Sequence, residues 1–152
     1  MKKTMLIFCA LYAVMAQGNQ FTDSEECDVL VVGGGAAGVS AALQAGRAGV
    51  KVVLVERGFQ VGGNMTTGGV NFPGLFHAWG RQVIDGCAYE VVTNAVALSG
   101  ERLPDFTVKP RRHWMHQLRF DIPVYVALAE EALGESRSSN PLSHRADECQ
   151  MD

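Results

Sequence analysis

Cysteine is scarce in this sequence and poorly spaced for structural chemistry. Four occur among 152 residues. Cys9 falls in the apolar start of the chain, and Cys27, Cys87 and Cys149 remain as an odd number at wide intervals. That pattern argues against a disulfide framework or a thiolate-held metal site, and Cys27 and Cys87 read as small buried hydrophobes. A closely spaced cysteine run able to hold an iron–sulfur cluster is also missing. A membrane-spanning helix needs about 20 apolar residues, and the run Met5–Ala16 falls short of that. Nor is there a positive excess: 13 basic residues against 16 acidic ones give a formal charge of −3, so the balance offers no reason to expect nucleic acid as a partner. No internal repeat is visible.

The first residues have a character of their own. Lys2 and Lys3 precede the apolar run, and Val14-Met15-Ala16 places small side chains where a signal peptidase reads. Residues 1–16 therefore read as a secretory signal peptide, which implies a secreted or periplasmic protein. Cys9 lacks the small residue before it that lipoprotein processing needs. Without the two lysines the chain carries 11 basic and 16 acidic residues, a formal −5. Residues 17–27 are polar and read as an exposed lead-in.

Glycine, by contrast, is plentiful: 17 residues, most of them between 33 and 86. Their placement is informative in the stretch DVLVVGGGAAGVSAALQAGRAGVKVVLVE, residues 28–56. Gly33, Gly35 and Gly38 have the G-x-G-x-x-G spacing. The first permits a sharp turn after a strand, the second lets backbone approach a pyrophosphate, and the third lets helix pack close on strand. The helix that follows aims free N–H groups and its positive end at the phosphates. Glu56 closes the second apolar run, where a carboxylate can accept the hydroxyls of an adenosine ribose. Glycine-rich strand-to-helix turns also occur without a nucleotide, but here the strand, the glycines, the helix and the acid are separate requirements, all met.

The spacing predicts a strand over 28–32, a helix over 36–48 stopped by Gly49, and a strand over 51–55. Residues 57–80 read as a long functional loop. Ile84, Ala88, Val91, Val92 and Ala95 recur at helical spacing, so a core-facing helix is expected from Arg81 to Leu98, stopped by Gly100. Residues 101–119 read as loop with one short strand at most. Asp121 reads as an N-cap, with Pro123 in the first turn and Val124, Leu128 and Ala132 on one face of a helix over 122–133. Residues 134–152 are almost without apolar side chains and read as a disordered tail.

A second glycine segment follows the acid: Gly62-Gly63-Asn64-Met65-Thr66-Thr67-Gly68-Gly69. Paired glycines let the backbone run beside a pyrophosphate and a ribityl chain. The short hydroxyls of Thr66 and Thr67 can bond phosphate or ribityl oxygens, and Gly68-Gly69 leave room for something flat and wide. A flavin site needs such a second loop, whereas a nicotinamide site does not.

The fingerprint, the E-x5-G-G-x-x-T arrangement from Glu56 to Thr66 and the continuation GGVNFPG together resemble the FAD-dependent oxidoreductases of the glutathione-reductase type. Flavin subunits of heterodisulfide reductase and the fumarate reductases are among the family's relatives. FDIPVYVALAEEAL, residues 120–133, is similar to that family's helix before its third strand. The resemblance covers residues 27–133. It implies an α/β, Rossmann-type FAD-binding domain (28–133) with a parallel sheet, and FAD held non-covalently. It places Gly33, Gly35 and Gly38 at the pyrophosphate turn, with Ala36 and Ala37 giving helix N–H groups. It further implies that Glu56 holds the adenosine ribose with Arg57 beside the adenine, that Gly63, Asn64, Thr66 and Thr67 line the pyrophosphate and ribityl part, and that Gly68-Gly69 approach the isoalloxazine. Catalytic residues and substrate stay unassigned, and no metal is expected.

The departures shape the functional expectation. The family continues after this helix into an apolar strand, where this sequence has GESRSSN; a later glycine–aspartate segment and a substrate domain have no counterpart. The expected protein is thus an FAD-dependent oxidoreductase domain cut short at its C-terminus, needing missing segments or a partner chain. The alternatives are a catalytically incompetent remnant and an NAD-dependent dehydrogenase. His77, His113 and His116 read as exposed or structural, Arg81 as a helix-start surface charge, and Lys109, Arg111, Arg112 and Trp114 as a solvated loop. Phe76 and Trp79 read as cover for the core.

Overall fold

The computed structural model describes residues 26–135 and 138–139. The expected signal peptide, most of the lead-in and the remainder of the tail lie outside the described residues. Described are strands β1 (Val29–Val32), β2 (Val52–Val55), β3 (His77–Ala78), β4 (Arg81–Gln82) and β5 (Ser138–Ser139), and helices α1 (Ala36–Arg47), α2 (Cys87–Leu98) and α3 (Ile122–Glu135).

β1 and β2 are short β-branched runs that pair in parallel, from Val29 opposite Val52 to Val32 opposite Val55. β5 adds to the far side of β2, also in parallel, with Ser138 opposite Val52. The order β1-β2-β5 makes β2 the central strand. Its four residues are all buried, as a strand covered on both faces should be. β1 lies at the edge and is only half-buried, and Val32 at its end is 61% exposed.

α1 buries Val39, Ala42, Leu43 and Gly46, an i, i+3, i+4, i+7 stripe, against the sheet. Gly49, with φ +88°, lets the chain leave the helix. α2 and α3 then pack on α1 and on each other. An exposed Arg47–Glu90 ion pair, 2.7 Å, ties the end of α1 to the start of α2. α2 closes with two bonds that satisfy its last carbonyls: Gly100 N–H donates to Ala97 and Glu101 N–H to Val96.

Several expectations change. α2 begins at Cys87 rather than Arg81, because Gly86 adopts φ 79°, ψ −157°, which no helix accepts. Arg81 and Gln82 instead pair with Ala78 and His77 in a small antiparallel hairpin. Residues 101–119 hold a single turn of 3-10 helix at His113–His116 and no strand. The buried stripe of α3 is Tyr125, Ala129 and Leu133, one residue on from the expected Val124, Leu128 and Ala132, which are half-buried beside it.

The tail reading of 134–152 also gives way at its start. α3 runs on to Glu135, and Ser138–Ser139 supply the third strand. A two-residue strand pairs through peptide groups alone, so it leaves no hydrophobic pattern to read. Trp79, expected over the core, is 95% exposed at the hairpin tip, whereas Phe76 is buried as expected. Cys87 is buried, but Cys27 is only half-buried.

Candidate functional site

The site stands at the ends of β1 and β2. Gly33, at φ +100°, turns the chain out of β1, and its N–H donates to Val55 at 2.7 Å. Gly38 has no room for a side chain: a Cβ there would collide with the Gly33 carbonyl. A Cβ on Gly35 would meet open space, so the ground in front of it is clear. No side chain caps α1 and no acid lies in its first turn. Ala36 and Ala37 are exposed. The positive end of a 12-residue helix thus faces the clear ground in front of Gly35.

The second glycine segment docks directly on the first. Gly62 N–H donates to the Gly34 carbonyl at 2.7 Å, and Gly35 and Gly62 form an isolated parallel bridge. Gly63 comes so near that a Cβ on it would lie 3.1 Å from Gly35 Cα. Residues Gly63–Met65 then make one turn of 3-10 helix.

Glu56 binds the two ends of this arrangement. One carboxylate oxygen accepts from Gly34 N–H and the other from Gly58 N–H, both at 2.6 Å. Each oxygen has two lone pairs, so one remains on each for a ribose hydroxyl. The glycine motif does not single out Gly34 or Gly58. The extra glycine at 34, where the motif allows any residue, is the signal that could have found the first of them: a Cβ there would crowd Glu56 Cβ at 3.0 Å.

The other expected residues divide. Arg57, Asn64 and Thr67 are exposed around the seat, with the Thr67 hydroxyl accepting from Gln60 at 3.3 Å. Thr66 turns inward: it is buried, and its hydroxyl donates to the Val61 carbonyl at 2.7 Å, holding the turn in shape. Gly68 and Gly69 close the same turn through bonds to Gly63 and Thr66.

Beside Ala36 and Ala37 opens a mainly apolar cavity of about 330 Å³. Its walls include Met65, the 73–76 segment, Ala88 and Val92 of α2, and Tyr125 of α3. Burial pushes the Tyr125 phenol up to about 12. The volume lies at the small end of ligand pockets.

Neither His77 nor His116 lines this cavity. His77 stacks flat on Phe106, centroids 3.7 Å apart, and His116 is buried with its edge to the same ring. Arg81 is exposed on the hairpin, and Arg111, Arg112, Lys109 and Trp114 lie in a stretch exposed as expected of a solvated loop.

Glycine turn, open helix end and strand-terminal acid define a Rossmann-type dinucleotide-binding α/β domain. The chain belongs to the FAD dependent oxidoreductase family, whose model matches residues 28–152. The alpha subunit of sarcosine oxidase from Rhizobium meliloti is 54% identical over 39 residues, 26% of this chain and 4% of that protein. A heterodisulfide reductase subunit-like protein of Archaeoglobus profundus is 56% identical over 45 residues, 30% of this chain and 6% of its own length. Thiamine thiazole synthase of Methanoculleus marisnigri is 36% identical over 77 residues, 49% of this chain and 30% of that one. Among solved structures, THI4 of Thermovibrio ammonificans matches with a TM-score of 0.48 and 18% identity, covering 91% of this chain and 45% of that chain. The chain spans 4% to 30% of the length of these curated relatives.

FAD is the cofactor of this family, and the residues present fit it. The glycine seat has no side chain that would fill it, the helix end is open, and the acid keeps a free lone pair on each oxygen.

Proposed function

We propose that this chain supplies the dinucleotide-gripping front portion of a flavoprotein oxidoreductase. Gly33, Gly35, Gly38 and the N–H groups of Ala36 and Ala37 hold the FAD diphosphate. Glu56 holds the adenosine ribose, with Arg57 beside the adenine. Gly63, Asn64 and Thr67 flank the diphosphate and ribityl chain, while Thr66 keeps their turn in shape. Bound FAD supplies hydride or electron transfer, and the residues of this chain bind and orient it.

The observation that carries this reading is the junction of the two glycine segments: Gly62 bonded to Gly34, with Glu56 bridging Gly34 and Gly58. A nicotinamide site has no use for that second segment. The test is gel filtration of the purified chain after incubation with FAD. Flavin absorbance is expected to travel with the protein, and to be lost in Glu56→Ala. A colourless parent protein overturns the reading. The Lys2–Ala16 pattern supports export, for which the check is a mature N-terminus at Gln17 by mass spectrometry.

A further inference from the structure

The chain has two tryptophans, and the fold puts neither in the core. Trp79 stands at the tip of the β3–β4 hairpin, 95% exposed, and Trp114 lies on the 3-10 turn His113–His116, 49% exposed. Trp79 also has φ 51°, a conformation that strains a residue with a bulky side chain. A strained backbone under a side chain left in solvent gains the fold nothing. Such an outlier points to a role outside the molecule.

Phe106 brings the two tips together. Its ring stacks flat on His77, just before Trp79 in the hairpin, with centroids 3.7 Å apart. The same ring meets the edge of His116, just after Trp114 on the turn, at 5.4 Å. Between Phe106 and the turn run Val108, Lys109, Arg111 and Arg112, all exposed, and Met115 beside Trp114 is exposed as well. Arg81 adds an exposed cation on the hairpin. None of these residues lines the cavity beside Ala36.

Charge is segregated to match. Residues 102–119 hold five basic residues and one acid, a formal +4, whereas the rest of the chain holds eight basic and fifteen acidic residues, a formal −7. Cations alone suit water, but large apolar side chains set among them need a surface that takes both. A phosphate-rich interface with hydrocarbon beneath it does so. Indole rings settle at headgroup level, apolar side chains reach the acyl boundary, and lysine and arginine pair with phosphate. A nucleic acid would use the cations and the indoles but leave Val108 and Met115 in water. An acidic peptide would meet two loop tips rather than a groove.

We propose that the hairpin tip and the 106–116 loop form a docking surface for an anionic bilayer. Trp79 and Trp114 enter the interface, and Lys109, Arg111 and Arg112 pair with lipid phosphate. The contact is peripheral, since no helix among the described residues is long and apolar enough to cross a membrane. It is independent of the FAD reading.

The test is co-sedimentation of the full chain with vesicles of phosphatidylcholine, plain or with about one third phosphatidylglycerol. Binding is expected to the anionic vesicles alone. It should fade as salt rises from about 0.1 M to about 1 M, because the screening length falls from about 10 Å to about 3 Å. A cation near an anionic surface contributes roughly fivefold in partition, so Lys109→Gln, Arg111→Gln and Arg112→Gln combined should weaken binding on the order of a hundredfold. Trp79→Asn, which keeps the hairpin because asparagine accepts its φ, should weaken it about tenfold. Both tryptophans lie on this surface, so the intrinsic fluorescence should shift to the blue on binding. Equal binding to plain phosphatidylcholine overturns the role of the cations. Anionic binding that the substitutions leave unchanged comes from another part of the chain, the apolar run at 5–16 included, and overturns the docking surface. Binding of poly-glutamate without binding of vesicles overturns the bilayer in favour of an acidic protein partner.

Discussion

Asn71 and Phe120 exchange two hydrogen bonds across 49 positions of sequence. The Asn71 amide donates to the Phe120 carbonyl at 2.9 Å, and the Phe120 N–H donates back to the Asn71 carbonyl at 3.3 Å. This pair ties the glycine-rich segment after the site to the residues that open α3, the helix carrying Tyr125. Asn71→Ala leaves the carbonyl of a buried residue without its amide donor. A loss of about 1–3 kcal/mol is expected in urea unfolding, together with weaker FAD retention. Unchanged stability shows that the segment is held by other contacts.

Glu56→Gln replaces one acceptor oxygen with an NH₂ group facing a backbone N–H, either that of Gly34 or that of Gly58. A charge-assisted bond worth about 1.5–3 kcal/mol is lost, equivalent to roughly a ten- to hundredfold weaker FAD complex if the ribose contact goes with it. Fluorescence quenching of added FAD measures this. A Kd within about twofold of the parent removes Glu56 from the binding site.

Trp79 and Gly80 both have positive φ, 51° and 72°, at the tip of the β3–β4 hairpin. Asparagine tolerates this conformation where tryptophan is strained, by about 1 kcal/mol. Trp79→Asn is therefore expected to raise the melting temperature by a few degrees, because the tryptophan side chain is 95% exposed and loses no core contact. A lower melting temperature shows that the indole packs on something in solution.

The Tyr125 phenol, pushed up from 10.0 to about 12 by burial, makes stability depend on alkaline pH. Below pH 10 both folded and unfolded states hold the proton, and its contribution is fully present. Between 10 and 12 the unfolded chain ionises first, so stability falls as pH rises. The total is about 2–3 kcal/mol at 1.36 kcal/mol per pK unit. Denaturation at a series of alkaline pH values should show this slope in the parent and a flatter one in Tyr125→Phe. Equal slopes place the cause in another group.

The βαβ unit was legible almost residue by residue, because its strand, turn, helix and acid obey independent constraints that coincide in few other arrangements. The family and its cofactor followed from the same residues. What escaped was set by backbone conformation and by neighbours distant in sequence. The periodicity from Ile84 to Ala95 extends back across Gly86, and only the observed dihedral shows that the helix cannot. On α3, Val124-Leu128-Ala132 and Tyr125-Ala129-Leu133 have identical spacing. Hydropathy alone cannot choose between them, so Tyr125 does not stand out as a wall of the site. Thr66 invites a reading by its hydroxyl, whose donor the turn itself uses. β5 is two serines joined to the sheet through main chain, with no apolar signature.

The double contact made by Glu56 has a thermodynamic consequence for ligand capture. A long, rotamer-rich acid at a binding site ordinarily loses side-chain freedom when its guest arrives. Here that freedom is surrendered as the chain folds, since both oxygens are already fixed by peptide donors. An arriving ribose meets a stationary acceptor, and the loss of motion on association falls on the nucleotide rather than on the protein.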